Sequence, residues 1–142
     1  MAAGAWQVYD EGLEDILDGT VDLDTDTIKT QLHDVAYTPT DADLTAANEL
    51  STANGYTAGG ITITITVTNT AGTVTVDSTT NPQWTASGGS IAAATGVIIK
   101  AATSQPLFYS DLDTGGGNLT ATDGNTFTIT FNAAGICTVA QA

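Results

Sequence analysis

Asp113-Thr114-Gly115 is the triplet in this chain that most resembles a catalytic motif. In aspartic proteases, two copies of such a triplet bring together two carboxylates that share a proton and activate water. This chain has one copy, so a complete pair would need a second chain. Asp111 precedes the triplet and further glycines follow it, whereas the protease motif follows an apolar strand end. A β-turn is therefore the favoured interpretation, and a dimeric protease is the alternative.

Three aspartates at alternate positions, Asp22, Asp24 and Asp26, have the spacing that begins a calcium-binding loop. An EF-hand would also need glycine at its sixth position and glutamate at its twelfth, where this chain has Thr27 and His33. The sequence therefore excludes an EF-hand. A solvated acidic segment is the favoured interpretation, and cation binding by clustered carboxylates is the alternative.

His33 is the one histidine of the chain and Cys137 is its one cysteine. A zinc site with two histidines cannot form within one chain. A disulfide cannot form within one chain either, so the cysteine count does not indicate whether the compartment is oxidising or reducing. The two residues would make a reactive thiolate pair only if they met, and nothing in the sequence places them together. We expect His33 to be a surface or interface residue.

Other signatures of enzymes are missing from the sequence. It contains no nucleophile-elbow serine motif, no Walker loop and no dinucleotide-binding fingerprint. We therefore expect no enzyme activity, no cofactor and no metal. Trp6, Trp84 and Tyr56 carry rings that can stack on sugars, so a glycan-binding module that uses Trp84 or Tyr56 is an alternative. Core or interface packing is the more common fate of tryptophan.

The charge balance limits the partners that the chain can have. Sixteen acidic residues stand against Lys29 and Lys100, which gives a formal net charge of −14. Such a surface repels nucleic-acid phosphates and anionic lipid headgroups, so we expect neither nucleic acid nor membrane as a partner. Twelve of the 16 acidic residues precede residue 50. This asymmetry suits solubility in a salty medium or binding to a basic partner.

One or two short helices are predicted in the first third of the chain. Apolar residues recur at steps of three and four over residues 6–17, and Gly19 ends this predicted helix. We expect the helix to pack Trp6 and Leu13 onto a sheet. A second short helix is predicted from these capping and apolar residues: Thr40, Asp43, Leu44, Ala47 and Leu50.

The strongest structural signal is the strict alternation of residues 61–68, which follows the glycine-rich turn 54–60. Isoleucines and a valine occupy one face and threonines the other, which is typical of a half-buried β-strand. Asn69 to Gly72 form a predicted turn, and residues 73–76 return as the second strand of a hairpin. The apolar residues predicted to share one packed face are Ile61, Ile63, Ile65 and Val67.

Further short strands are predicted along the rest of the chain. The alternation at Val21 and Leu23 leads into a strand over residues 27–32 that runs on to Val35 and Tyr37. Residues 96–100 are apolar on both faces, which indicates a central strand. The other predicted strands are 83–85, 106–112 and 125–131, the last with Phe127, Ile129 and Phe131 inward.

These elements predict a mainly β fold, an antiparallel β-sandwich with one or two short helices in its N-terminal third. The length suits a single domain over residues 1–142, with residues 1–50 as an acidic, helix-containing part. No stretch has the roughly 20 apolar residues of a membrane helix, and the start of the chain lacks a basic signal-peptide region. We expect synthesis in the cytoplasm.

The order and spacing of several motifs resemble a family of small virion proteins of tailed bacteriophages. The similarity extends from the first predicted helix, over residues 6–17, to residues 132–136, and its most specific part is Gly55-Tyr56-Thr57-Ala58-Gly59-Gly60. The chain has less lysine and more aspartate than that family. The other motifs are Asp18-Gly19-Thr20-Val21-Asp22-Leu23, Thr25-Asp26-Thr27-Ile28-Lys29, Tyr37-Thr38-Pro39, Trp84 and Gly96-Val97-Ile98-Ile99-Lys100.

The resemblance implies a structural protein of the virion with no catalytic residues to assign. The first hypothesis is a capsid decoration protein, also called a cement protein, that binds major capsid subunits and stabilises the head. The second is a neck or tail adaptor or a fibre-base subunit, where ring symmetry replaces lattice symmetry. In either case we expect the chain to be a homo-oligomer that contacts other virion proteins and resides in the virion.

Overall fold

The computed structural model describes residues 4–41 and 48–140. Within these ranges the fold is mainly β, with antiparallel strand pairs throughout and one α-helix near the N-terminus. The predicted fold class, a sandwich-like antiparallel β fold with a short N-terminal helix, is confirmed. The elements are β1 (Gln7–Val8), α1 (Asp10–Asp18), β2 (Ile28–His33), β3 (Ile61–Ile63), β4 (Ile65–Thr70), β5 (Thr73–Ser78), β6 (Gln83–Thr85), β7 (Ile91–Ala93), β8 (Thr95–Lys100), β9 (Gln105–Asp111), β10 (Leu119–Ala121), β11 (Thr126–Thr128) and β12 (Cys137–Ala140).

The largest sheet has five strands in the order β1-β9-β8-β2-β3. Strand β8 lies at its centre, and its residues 95–99 are buried on both faces, as the unbroken apolar run predicted. Such a run is typical of a strand that is covered on both sides. The two edges of this sheet, β1 and β3, have only two and three residues.

A second sheet has three strands in the order β12-β5-β4, and two further sheets pair β10 with β7 and β11 with β6. The alternating stretch that begins at Ile61 belongs to two of these sheets. Its first part, β3, pairs with β2, and its second part, β4, pairs with β5, with Thr64 between them. A bend at Thr64 thus passes the strand from one sheet to the other, as strands do at the corners of packed sheets.

The main apolar core lies between the five-stranded sheet and the smaller sheets. It includes Ile98 of β8 and Phe108 of β9 together with Trp84, Phe127 and Ile136 from the opposite side. A second cluster covers the other face of the five-stranded sheet, and its members are Tyr9, Tyr37, Val97, Ile99 and Tyr109. Alternate residues of β8 therefore contribute to two cores.

The glycine-rich turn before β3 approaches neighbouring strands too closely for a side chain. Gly60 has φ +70°, and a Cβ atom there would overlap the carbonyl oxygen of Thr30 in β2. A Cβ atom on Gly55 would overlap the carbonyl oxygen of Thr85 in β6. Glycine supplies both the positive φ and the missing side chain. The turn thereby contacts both the five-stranded sheet and β6.

Helix α1 differs from its predicted form. It begins at Asp10 rather than at Trp6, because residues 7 and 8 pair with β9 as strand β1. The helix meets the sheet through Gly12, where a Cβ would lie 2.8 Å from the carbonyl oxygen of Pro106. The expectation that Leu13 packs on the sheet is wrong, since Leu13 is 39 % exposed. The predicted second helix lies largely at residues 42–47, outside the described residues.

Other boundaries are also corrected. Residues 21–26 form bends and turns and do not lead into a strand as predicted. Strand β2 begins at Ile28. Val67, predicted on a packed face, is 48 % exposed because nothing in the described ranges covers that end of β4. Phe127, Ile129 and Phe131 all point inward as predicted, although the paired strand β11 ends at Thr128.

Candidate functional site

The Asp113 carboxylate caps a turn. Its Oδ1 accepts a hydrogen bond from the backbone N–H of Gly115 at 2.9 Å, and its Oδ2 accepts one from Gly117 at 3.2 Å. The backbone N–H of Gly116 donates to the Asp113 carbonyl oxygen at 2.9 Å. Both carboxylate oxygens thus accept bonds from the glycine turn that follows. This geometry agrees with the β-turn interpretation of the Asp113-Thr114-Gly115 triplet.

Of the aspartates at positions 22, 24 and 26, Asp26 pairs with a lysine and Asp22 accepts bonds within its own turn. Lys100 Nζ lies 2.8 Å from Asp26 Oδ2 and donates to the Thr20 carbonyl oxygen at 2.8 Å. Asp22 Oδ1 accepts a bond from the Asp24 N–H at 3.0 Å. Hydrogen bonds from Thr25 and from the Asp24 N–H lower the pKa of Asp22, and hydrogen bonds from Lys100 and from the Asp22 N–H lower the pKa of Asp26. Among residues 4–41 and 48–140, no group of three or more acidic, histidine or cysteine side chains is arranged to hold a metal ion.

His33 is buried, which corrects the prediction of a surface or interface residue. Its Nδ1 lies 2.8 Å from the Tyr37 hydroxyl and its Nε2 lies 3.2 Å from Gln31 Oε1. A neutral ring that donates from Nε2 and accepts at Nδ1 satisfies both contacts. Desolvation lowers the pKa of His33 to about 4, against a small opposing effect of Asp34. His33 is therefore a neutral core residue at pH 7.

Cys137 lies in the three-stranded sheet, whereas His33 lies in the five-stranded sheet. Its thiol is free and half-buried, and burial raises its pKa. A thiol of raised pKa is mostly protonated at pH 7 and is a poor nucleophile. The structure therefore does not bring the two residues together as a thiolate pair.

The aromatic residues considered for glycan binding are mostly part of the core. Trp84 is 5 % exposed and Tyr56 is 2 % exposed, and their ring centroids lie 5.7 Å apart. Neither ring face is open to a sugar. Trp6 is half-buried, 5.3 Å from Phe131 between ring centroids, and lines an uncharged groove of about 700 Å³.

A buried polar contact that the sequence did not reveal fixes the glycine-rich turn. The Tyr56 hydroxyl donates to Glu49 Oε1 at 2.6 Å and accepts from the Leu32 backbone N–H at 3.1 Å. The same Glu49 oxygen accepts a bond from the Gly59 N–H at 2.6 Å. Burial and the bond to Glu49 raise the pKa of Tyr56. The contact holds the turn against β2.

Two exposed leucines form the first candidate contact surface. Leu13 is 39 % exposed and Leu17 is 71 % exposed, and residues four apart lie side by side on a helix. By the same spacing Asp10 and Glu14 lie beside them on α1. We call this the acidic helix face.

The second candidate contact surface is the outer edge of β4 in the three-stranded sheet, which carries one of two exposed valines. Val67 of β4 is 48 % exposed and Val139 of β12 is 49 % exposed. The registers Val67↔Val76 and Val76↔Cys137 place these residues on one face of the three-stranded sheet. The only charged residue in the three strands is Asp77. We call the outer edge of β4 the neutral edge.

No helix in the described part of the chain has the length and apolar character needed to cross a membrane. Comparison of the chain with protein-family models, curated proteins and solved structures finds no match. The structural evidence of function therefore comes from two exposed surfaces, the acidic helix face and the neutral edge. Both suit contacts with protein.

Proposed function

We propose that the chain is a structural protein of a bacteriophage virion, a decoration protein that binds the assembled head. The observation that carries the proposal is the order and spacing of motifs from residue 18 to residue 136, which resemble small virion proteins. These motifs occupy framework positions in the fold. Residues 55–60 belong to the close turn before β3, Trp84 is a core residue, and residues 96–100 belong to the central strand.

The state of the polar groups supports a role in binding rather than catalysis. In the described residues, Asp113 caps a turn, Asp26 pairs with Lys100, and His33 is buried between Tyr37 and Gln31. The sequence motifs that could carry chemistry therefore serve internal contacts. What the surface presents to a partner is charge and apolar side chains.

The acidic helix face is the part of the molecule best suited to contact another virion protein. Leu13 and Leu17 offer apolar area, and the carboxylates of Asp10 and Glu14 beside them favour basic residues across an interface. The same carboxylates disfavour contact between the acidic helix faces of two copies, because like charges repel. The partner that fits is a head subunit with an apolar patch and a basic rim.

Binding to the assembled head would stabilise it without chemistry. A protein that binds the assembled state and not the free subunits shifts the equilibrium towards the assembled state. Each copy that contacts more than one head subunit thus raises the free energy of disassembly. The same acidic surface keeps the unbound chain soluble.

The experiment that tests the proposal measures the stoichiometry of the chain relative to the major capsid protein in purified phage particles. A decoration protein is present in a fixed lattice ratio, with copies over the whole head. A ratio that corresponds to a single ring would instead assign the chain to the neck, the tail or a fibre base. Absence of the chain from purified particles would overturn the virion assignment.

A matched pair of variants tests the acidic helix face. Leu17→Ser should weaken binding to heads that lack the chain by about tenfold or more, because it removes the most exposed apolar side chain of that face. Val139→Ser changes a valine that is 49 % exposed on a different surface, and it should bind as the wild type does. Equal binding by both variants would remove this face from the interface.

A further inference from the structure

We propose that two copies of the chain pair through the neutral edge, with β4 of one copy antiparallel to β4 of the other. The pairing would join two three-stranded sheets into one sheet of six strands. The partner is a second copy of this chain. The proposal concerns the purified chain and does not depend on the virion assignment.

The backbone of β4 is prepared for such a pairing. The backbone N–H of Thr79 donates to the Thr64 carbonyl oxygen at 3.2 Å, which identifies this pair as hydrogen-bonded. In an antiparallel ladder every second pair is hydrogen-bonded, so Thr66, Thr68 and Thr70 direct their backbone groups towards β5. The alternate residues are Ile65, Val67 and Asn69. Their N–H and C=O groups point away from β5, to the open side of β4.

The three residues whose backbone groups point to the open side of β4 are self-complementary. A two-fold axis at Val67 places Val67 opposite Val67 of the second copy and Ile65 opposite Asn69. All three pairs are then of the hydrogen-bonded type, and each exchanges two backbone bonds. The two Val67 side chains, each 48 % exposed in the single chain, would meet on the apolar face.

The charge distribution at this edge allows a second copy to approach as the partner. Strand β4 has no charged residue, and β5 contributes only Asp77. In the paired sheet the two Asp77 residues would be separated by three strand spacings, about 14 Å. That separation exceeds the Debye length of about 8 Å at physiological ionic strength. Two chains of net charge −14 can therefore approach here, although the acidic helix face would repel its own copy.

The other edge strands in the described residues are shorter than β4, with four residues in β12 and two or three in each of the rest. The edges of the five-stranded sheet are two and three residues long, and short edges are one of the ways in which proteins prevent unwanted pairing. Strand β4 has six residues and carries no lysine and no proline, and residues 67–70 are all exposed. An edge of this length without such protection is a template for another strand.

Sedimentation equilibrium of the purified full-length chain tests the proposal. We expect a monomer–dimer equilibrium in the wild type. Val67→Lys places two like charges directly opposite each other and should raise the dimer Kd by about tenfold or more. Val139→Lys, on a valine of equal exposure at the other edge of the sheet, is the matched control and should leave the Kd unchanged. Circular dichroism checks that both variants fold.

Cysteine cross-linking tests the register directly. In the Cys137→Ser background, Val67→Cys should form an oxidised dimer, because hydrogen-bonded antiparallel partners have Cα atoms about 5.5 Å apart, within disulfide range. Val139→Cys in the same background should stay monomeric. A wild-type chain that is monomeric at every soluble concentration would overturn the proposal, and so would a dimer that Val67→Lys leaves intact.

The salt dependence separates this contact from binding to the head. Added salt screens the repulsion between two acidic chains and should strengthen the dimer. Binding of the acidic helix face to a basic partner should weaken in the same salt range. A dimer that dissociates as salt rises would contradict pairing at an uncharged edge.

Discussion

The five-stranded and the three-stranded sheets share one main core but differ in how far they are covered. The five-stranded sheet has a core on each face and very short edges, whereas the three-stranded sheet leaves Val67 and Val139 about half exposed. Both sheets alternate apolar residues with threonines in the shared stretch from Ile61 to Thr70. The difference identifies the five-stranded sheet as the covered framework of the monomer and the three-stranded sheet as the one that leaves apolar side chains exposed.

The largest effect is expected where the glycine-rich turn meets β2. Gly60→Ala should lower the free energy of unfolding by about 4 kcal/mol or more, because the new Cβ overlaps the Thr30 carbonyl oxygen and φ is +70°. Gly59→Ala is the control, since φ is +97° but no other atom lies within 4 Å of the added Cβ. It should cost only about 1 kcal/mol. Urea unfolding measures both, and equal losses would contradict the close approach.

A pair of truncations compares the two sheets directly. Ile98→Ala removes a fully buried side chain from the central strand and should cost about 3–4 kcal/mol in unfolding free energy. Val67→Ala removes a half-exposed side chain from β4 and should cost under about 0.5 kcal/mol in the monomer. Measurements at low protein concentration keep dimer formation out of the comparison. Similar costs at both positions would mean that Val67 is not a contact residue.

The pH dependence of stability reports on His33 in the five-stranded sheet. Its pKa is about 4 in the folded chain and 6.5 in the unfolded chain, so the unfolded state binds the proton more strongly. The stability contribution is complete above pH 6.5 and is lost as the pH falls from 6.5 to 4, by about 3 kcal/mol.

His33→Gln is the variant that checks this assignment, since glutamine does not titrate. Its unfolding free energy should change much less than that of the wild type between pH 6.5 and 4, whatever its stability at pH 7. Asp22 and Asp26, whose pKa values are lowered, lose their contributions only below about pH 3.8 and so fall outside the window. An equally steep loss in the variant would show that other groups titrate there.

Much of the framework could be predicted from the sequence because local patterns specify which face is buried. The apolar run at residues 96–100 identified the central strand, and the alternation at Phe127, Ile129 and Phe131 identified their inward face. Gly19 was correctly placed at the end of the helix, where it has φ 85°. Each of these features depends on residues close together in the chain.

The rest depended on contacts between distant residues. The alternation of residues 61–68 gives no sign that the strand changes sheets at Thr64 or that Val67 lies beyond the covered part. A lone histidine carries no signal of its burial, which comes from Tyr37 and Gln31 around it. The Glu49–Tyr56 contact likewise joins residues that no periodic pattern connects. The candidate contact surfaces could therefore be identified only from the structure, which shows which side chains are buried.

The smallest effect is expected at the turn between β4 and β5. Ala71 has φ 50° and Gly72 has φ 87°, which is the two-residue turn that favours asparagine followed by glycine. Ala71→Asn should raise the unfolding free energy by about 0.5–1 kcal/mol, because asparagine tolerates a positive φ better than alanine. If the neutral edge pairs as proposed, a better-ordered β4 should also lower the dimer Kd slightly, whereas Ala71→Val should raise it. A stability gain without any change in Kd would separate the order of the hairpin from the pairing of its edge.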